Sequence, residues 1–203
     1  MSHSISPGVF DWVRFPARHD FYPEDMPEAW RMSYYSNEFN SACLFLSGLE
    51  SRKEEVLEWL EDLPQGFELS FYLEEPEQIP LLQSLAQQQD LQFYSLLLGE
   101  RADHELLQNE SLQTLLSLPE FAAVKAIPID SVWRPEKRVK GAQHMAIFPL
   151  AENMKIYREW IEQWVEDTDA ISDSEHKTLW LSASETDYQQ LAELTILIEL
   201  MGY

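Results

Sequence analysis

With 203 residues, 36 acidic against 14 basic side chains and a formal charge of −22, the chain repels polyanions, which argues against nucleic acid and anionic membrane surfaces as partners. The length suffices for a single domain with a substantial core, no run of about 18 apolar residues is present to cross a bilayer, and the one cysteine, Cys43, leaves no internal disulfide. The opening MSHSISPGVFDW has neither the basic start nor the apolar centre of a secretory leader, so one α/β domain over residues 1–203, soluble and cytoplasmic, is expected.

Short apolar runs alternate with helical patterns along the chain, the mark of βαβ units and a mainly parallel sheet. Residues 9–15 read as the first strand. The aromatic-rich stretch FYPEDMPEAWRMSYYSNEFN follows at 21–40. Pro27 suits a first helical turn, and Trp30, Tyr34, Tyr35 and Phe39 recur at helical spacing, so a helix over 27–40 is predicted. Its aromatic stripe packs on the sheet, or else Trp30 or Tyr22 stacks on a ligand. Strand two is expected at 42–47, with Cys43 as a buried, inert thiol. A helix over 51–62 follows, Ser51 and Glu54 forming a capping box.

Phe67, Leu69, Phe71 and Leu73 alternate with polar residues and Tyr72, predicting strand three at 67–73. Helices are expected at 76–89 and at 102–118, the second broken near Asn109 with Ser111 as a cap, and strand four lies between them at 91–98. Strand five is expected at 122–129, with Pro128 tolerated where the strand ends. Residues 130–141 show no periodicity, yet they hold Arg134, Lys137, Arg138 and Lys140, four of only 14 cations. Strand six at 144–150, an amphipathic helix at 153–166, strand seven at 178–182 and a last helix at 186–202 complete the chain. This rhythm fits a small or incomplete (β/α) TIM-like barrel of about seven parallel strands, or an open doubly wound sheet.

Phe21-Tyr22-Pro23, Met26-Pro27, the pair Tyr34-Tyr35 and Phe39-Asn40 before a strand resemble the start of the YecE-like family, domain of unknown function seventy-two. Trp59 with Leu63-Pro64-Gln65-Gly66-Phe67 is similar to that family's later Trp…Pro-x-Gly-Phe segment. The resemblance covers roughly the first third of the chain and implies the barrel. Where the family opens on a Gly-Thr-Ser-Gly-Trp type strand, this chain has Gly8-Val9-Phe10-Asp11-Trp12. Where it runs Thr-Val-Glu-x-Asn, Cys43 and Phe45 take the places of the Glu and Asn. The polar residues that the resemblance implies at the barrel mouth are thus replaced.

No GxGxxG, GxxxxGK[ST], GxSxG, HExxH or CxxC occurs, and the five histidines are scattered, so neither a cofactor nor a metal is expected. In either α/β architecture ligands bind beyond the carboxyl ends of strands. That rule selects Arg14 and His19, Glu74 and Glu75, Glu100 and Arg101, Asp130, Trp133 and Arg134, Glu152, and Ser184 with Glu185. Glu74 or Glu100 are the candidate bases, and Arg14, Arg101 or Arg134 hold an anionic group, with Trp133 as an apolar wall. The competing account makes many of these acids helix caps and first-turn charges. Two functional readings follow: a degenerate, non-catalytic barrel-like protein that binds a small anion or a protein, or a small-molecule hydrolase, lyase or isomerase using mouth carboxylates.

Overall fold

Seven strands, β1 (Ser4–Phe10), β2 (Ser41–Phe45), β3 (Glu68–Leu73), β4 (Phe93–Leu98), β5 (Lys125–Pro128), β6 (Met145–Phe148) and β7 (His176–Ser182), form one sheet in the order β5-β4-β3-β2-β1-β7-β6, every pairing parallel. Between them run α1 (Arg31–Ser36), α2 (Lys53–Leu60), α3 (Ile79–Ala86), α4 (Glu110–Leu116), α5 (Met154–Asp169) and α6 (Tyr188–Met201). The structure, a computed structural model, describes residues 4–15, 21–87, 93–99, 106, 108–118, 121, 124–139, 144–169, 176–182 and 188–203.

The strand order is consecutive around a ring and interrupted only between β5 and β6. A doubly wound sheet would reverse its winding and carry helices on both faces. Here every helix of two turns or more whose inward residues are described, from Val56 and Trp59 of α2 to Leu191 and Leu194 of α6, packs into one outer apolar shell against Val9, Leu44, Phe71 and Leu179. The opposite face gathers Cys43, Tyr72, Leu97, Ile127, Ile147 and Trp180, from six strands including both edges, into a second cluster. Only a curled sheet lets its two edges share one interior. The fold is an incomplete TIM-like barrel, with no eighth strand among the described residues.

The gap between the edges is tied at one end. Past β5 a 3-10 turn, Ile129–Ser131, carries the chain across, and Trp133 forms an isolated parallel bridge with Ala146 of β6. Trp133 N–H donates to Met145 O at 3.1 Å, and Ile147 N–H donates to Trp133 O at 2.9 Å. Trp133, in the 130–141 segment expected as an irregular loop, is therefore joined to the sheet edge, and Arg134 and Lys137 form a further antiparallel bridge.

Several boundaries differ from the sequence expectation. The first strand begins five residues earlier than expected, at Ser4, and ends at Phe10, with Pro7 and Gly8 inside it. β2 joins β1 only from Gly8, which leaves the Pro7 end of β1 unpaired on that side. Gly8 itself is required by proximity: a Cβ there would stand 2.1 Å from Ser41 O. The helix expected at 27–40 is a 3-10 turn (Glu28–Trp30) followed by the short α1, with Met32 and Tyr35 inward and Trp30 64% exposed. The capping box lies not at Ser51, since α2 starts after Arg52 without a side-chain cap, but at Glu75 and Gln78. Asn109, not Ser111, caps α4, its Oδ1 accepting from Ser111 N and Leu112 N.

Candidate functional site at the carboxyl ends of the strands

Immediately past β1 the backbone takes an unusual turn. Asp11 has φ 68° and ψ 64°, and it is the one non-glycine residue with positive φ among the described residues. A side chain held in that left-handed region costs on the order of 1–3 kcal/mol, and such strain gathers at functional sites. Asp11 is only 6% exposed, and its Oδ1 is buried with no hydrogen-bond partner. Its Oδ2 faces Arg14 Nε at 3.2 Å, and its carbonyl accepts from Arg14 N–H at 3.1 Å.

Burial pushes the Asp11 carboxyl up from 3.8 to about 6, with Arg14 opposing the rise and the Glu74 carboxylate, past β3, adding to it. The Glu74 carboxylate is thus near enough for its charge to be felt at Asp11. Gly99, just past β4, lies close against Glu74, since a Cβ there would meet Tyr72 Oη at 3.0 Å and Glu74 Cγ at 3.3 Å. The Glu74 backbone is fixed by its N–H donating to Gln78 Oε1 at 2.8 Å. Beneath lie rings in edge contact, Phe10 with Phe45 at 4.8 Å and with Tyr72 at 5.7 Å, while the Arg14 guanidinium sits 5.9 Å above Phe45. Cys43 is fully buried; desolvation first, and the Asp11 charge next, push its thiol well up, which keeps it unreactive.

Of the residues selected from sequence, Arg14 pairs with Asp11 and Glu74 acts on it through its charge, so both converge on an aspartate that sequence reasoning did not select. Other expected residues go elsewhere. Trp133 is fully buried in the outer shell against Phe148, its Nε1 donating to Asp167 at 3.0 Å, so it offers no wall to the mouth. Arg138 donates twice to the same Asp167 carboxylate at 3.1 Å, and Lys137 pairs with Asp130. Arg134 is held by its bridge to Lys137. Glu75 is the capping-box residue of the turn before α3, and Glu152 is exposed. His19, Glu100, Arg101, Ser184 and Glu185 lie outside the described residues.

A second polar group fills the opposite end of the interior. Glu68 Oε1 accepts from Ser6 Oγ at 3.1 Å and Oε2 from Thr178 Oγ1 at 2.7 Å, while His176 Nε2 pairs with Oε1 and His176 Nδ1 lies 2.7 Å from Ser4 Oγ. Ser70 and Ser95 hydroxyls bond at 2.8 Å above it. It joins β1, β3 and β7 at their amino ends, the end of a barrel that serves stability. No group of three or more His, Cys, Asp or Glu among the described residues is arranged to hold a metal ion. No helix of the described residues is long and apolar enough to cross a membrane. The chain matches no protein-family model, no curated protein and no solved structure.

Proposed function

We propose that the carboxyl end of the sheet is a small-molecule site in which Asp11 moves a proton and Arg14 holds an anionic group of the substrate, as in a hydrolase, lyase or isomerase. One observation carries this reading: a nearly buried carboxyl, unpartnered at one oxygen, held in a strained backbone conformation and raised to about 6. A general acid or base works best when its pKa lies near the working pH, and a structural aspartate gains nothing from these three costs. Glu74 serves as the second carboxylate, its charge felt at Asp11. The parallel order and ring-wise strand succession agree with a YecE-like ancestry. The charge of −22 favours a small anion met by a local arginine over a nucleic acid, in a cytoplasmic setting.

A second reading, a degenerate binding protein, draws support from the interior just below Asp11. Cys43, Phe45, Tyr72 and Trp180 fill it with largely apolar surface and present no further carboxylate or imidazole to a substrate. Thermal shifts against a panel of small carboxylates and phosphates at pH 5 and pH 7 test both. The site predicts stabilisation by at least one anion, stronger at pH 5, where Asp11 is neutral, and lost in Arg14→Gln. In Asp11→Asn the binding persists and no longer depends on pH. NMR of the stabilising compound incubated with the protein then separates turnover from binding alone. A panel without any stabilising anion, or one bound equally by Arg14→Gln, removes the proposal.

A further inference from the structure

On the outer surface, away from the mouth, the exposed face of α1 and the turn before it border a groove of about 230 Å³ lined by Met26, Trp30, Ser33, Tyr34, Asn37 and Asp62. Ser33 and Tyr34 stand three and four residues after Trp30, and Asn37 stands four and three after them, so a single helical face supplies four of the six walls. Trp30 is 64% exposed, whereas Trp12, Trp59, Trp133, Trp164 and Trp180 are buried. Tyr34 is held from behind by Phe21 at 5.3 Å and Tyr22 at 5.9 Å, and Phe21 in turn stacks on Tyr188 at 4.6 Å. One ring is thus free to meet a ligand and the other is fixed in advance.

The charge of the groove is one-sided. Asp62 is exposed and forms no ion pair with any described residue, and none of the six lining residues is basic. In a chain of net charge −22 the surrounding field adds to the attraction for a cation. Ring faces, a polarisable thioether and one carboxylate are the components that recognise an alkylated ammonium, which is drawn to aromatic faces while shedding little water. The volume is below that of sites for drug-sized ligands, so it takes one compact group. We propose that this groove binds a small molecule bearing a trimethylammonium group, with Trp30 and Tyr34 supplying ring faces and Asp62 the opposing charge.

Choline is the probe, and 3,3-dimethylbutan-1-ol, the same shape without the charge, is its control; Nε-trimethyllysine tests whether the group is accepted at the end of a longer chain. Titration of the full-length protein by NMR or calorimetry should show saturable choline binding, about fivefold or more tighter than the neutral isostere. Trp30→Ala removes an exposed ring and leaves the core intact, so it should abolish binding without changing the melting temperature by more than a few degrees. Asp62→Asn should weaken choline severalfold and leave the isostere unaffected. Tighter binding of trimethyllysine than of choline supports the same site with a side-chain-borne group as its natural form. Equal affinity for choline and the isostere, no saturable binding of either cation, or unchanged binding in a folded Trp30→Ala protein overturns the proposal.

Discussion

Replacing Asp11 by Asn should make the protein more stable at neutral and alkaline pH and leave it unchanged in acid. The folded carboxyl titrates at about 6 instead of 3.8, a gap of roughly two pH units, and each unit corresponds to ~1.4 kcal/mol. Because the pKa is raised, the folded state binds more protons than the unfolded state between those two values. Stability therefore falls as pH rises through that window, and the full cost, about 3 kcal/mol, is present above pH 6. Asparagine carries no charge to desolvate, keeps nearly the same shape and tolerates the left-handed backbone at φ 68°. The pair lost with Arg14, whose side chain is 70% exposed, is worth little, ~1 kcal/mol at most.

Urea denaturation of both proteins at pH 4 and pH 8 measures the difference. At pH 8 the variant should gain about 2–3 kcal/mol, which for a chain of this length raises the melting temperature by roughly 5–10 °C. At pH 4 the curves should converge. Such a gain on removing a polar side chain is the trade expected where stability has been given up for activity. A variant less stable than the parent at pH 8, or a gain of the same size at both pH values, would refute the account of Asp11 as a strained, desolvated functional acid.

Gly8→Ala places a Cβ 2.1 Å from Ser41 O and 2.2 Å from Ser41 Oγ, so β1 and β2 must separate; expression in soluble form should be lost or the unfolding free energy from urea denaturation should fall by about 1–3 kcal/mol or more. Ser70→Ala and Ser95→Ala each strand a buried hydroxyl at about 1–3 kcal/mol, whereas the double variant leaves none, so a double-mutant cycle should show the pair costing less than the sum. His176 is raised mainly by its bond to Glu68, with the Glu68 charge adding to it and burial opposing. Its stabilisation is complete below the unfolded histidine value near 6.5 and is lost as pH rises through the folded value, so His176→Gln should flatten the stability profile above pH 6.5 and leave the Asp11 window untouched.

Where element type depends on periodicity, the chain displayed it openly. The alternation of Leu69, Phe71 and Leu73 with Glu68, Ser70 and Tyr72 marked β3 to within one residue, and the pattern of Tyr157, Ile161 and Trp164 marked α5. Ends were less visible, because they depend on contacts far away in sequence. Pro7 is accepted in β1 because β2 arrives only at Gly8, and no local signal announces that register. The bridge of Trp133 to β6 is equally silent: residues 130–139 lack any repeat, and what orders them is a partner strand and the Asp167 carboxylate of α5, which receives both the Trp133 indole and Arg138. A cluster of cations in the sequence looked like a ligand site; in the fold two of them, Lys137 and Arg138, are answered by neighbouring acids.

The same dependence explains why Asp11 escaped notice while Arg14 and Glu74 did not. The rule that sites follow strand ends was sound, but with the first strand read at 9–15, Asp11 stood inside it and Arg14 at its end. Moving the strand to Ser4–Phe10 places Asp11 at the first position beyond, the position the rule selects, and leaves Arg14 three residues on, where a 3-10 turn brings its guanidinium back over the carboxylate. The signal that was available is the polar alternation of Ser4 and Ser6 with Ile5 ahead of Val9 and Phe10, which continues the strand pattern backwards through Pro7 and Gly8. Read with a Gly tolerated for close strand approach, that alternation ends at Phe10 and leaves an acid at the barrel mouth. The strain at Asp11 is a different kind of property: φ 68° stands just ahead of a turn whose Trp12 and Phe15 are buried in the shell, and only the folded backbone reveals it.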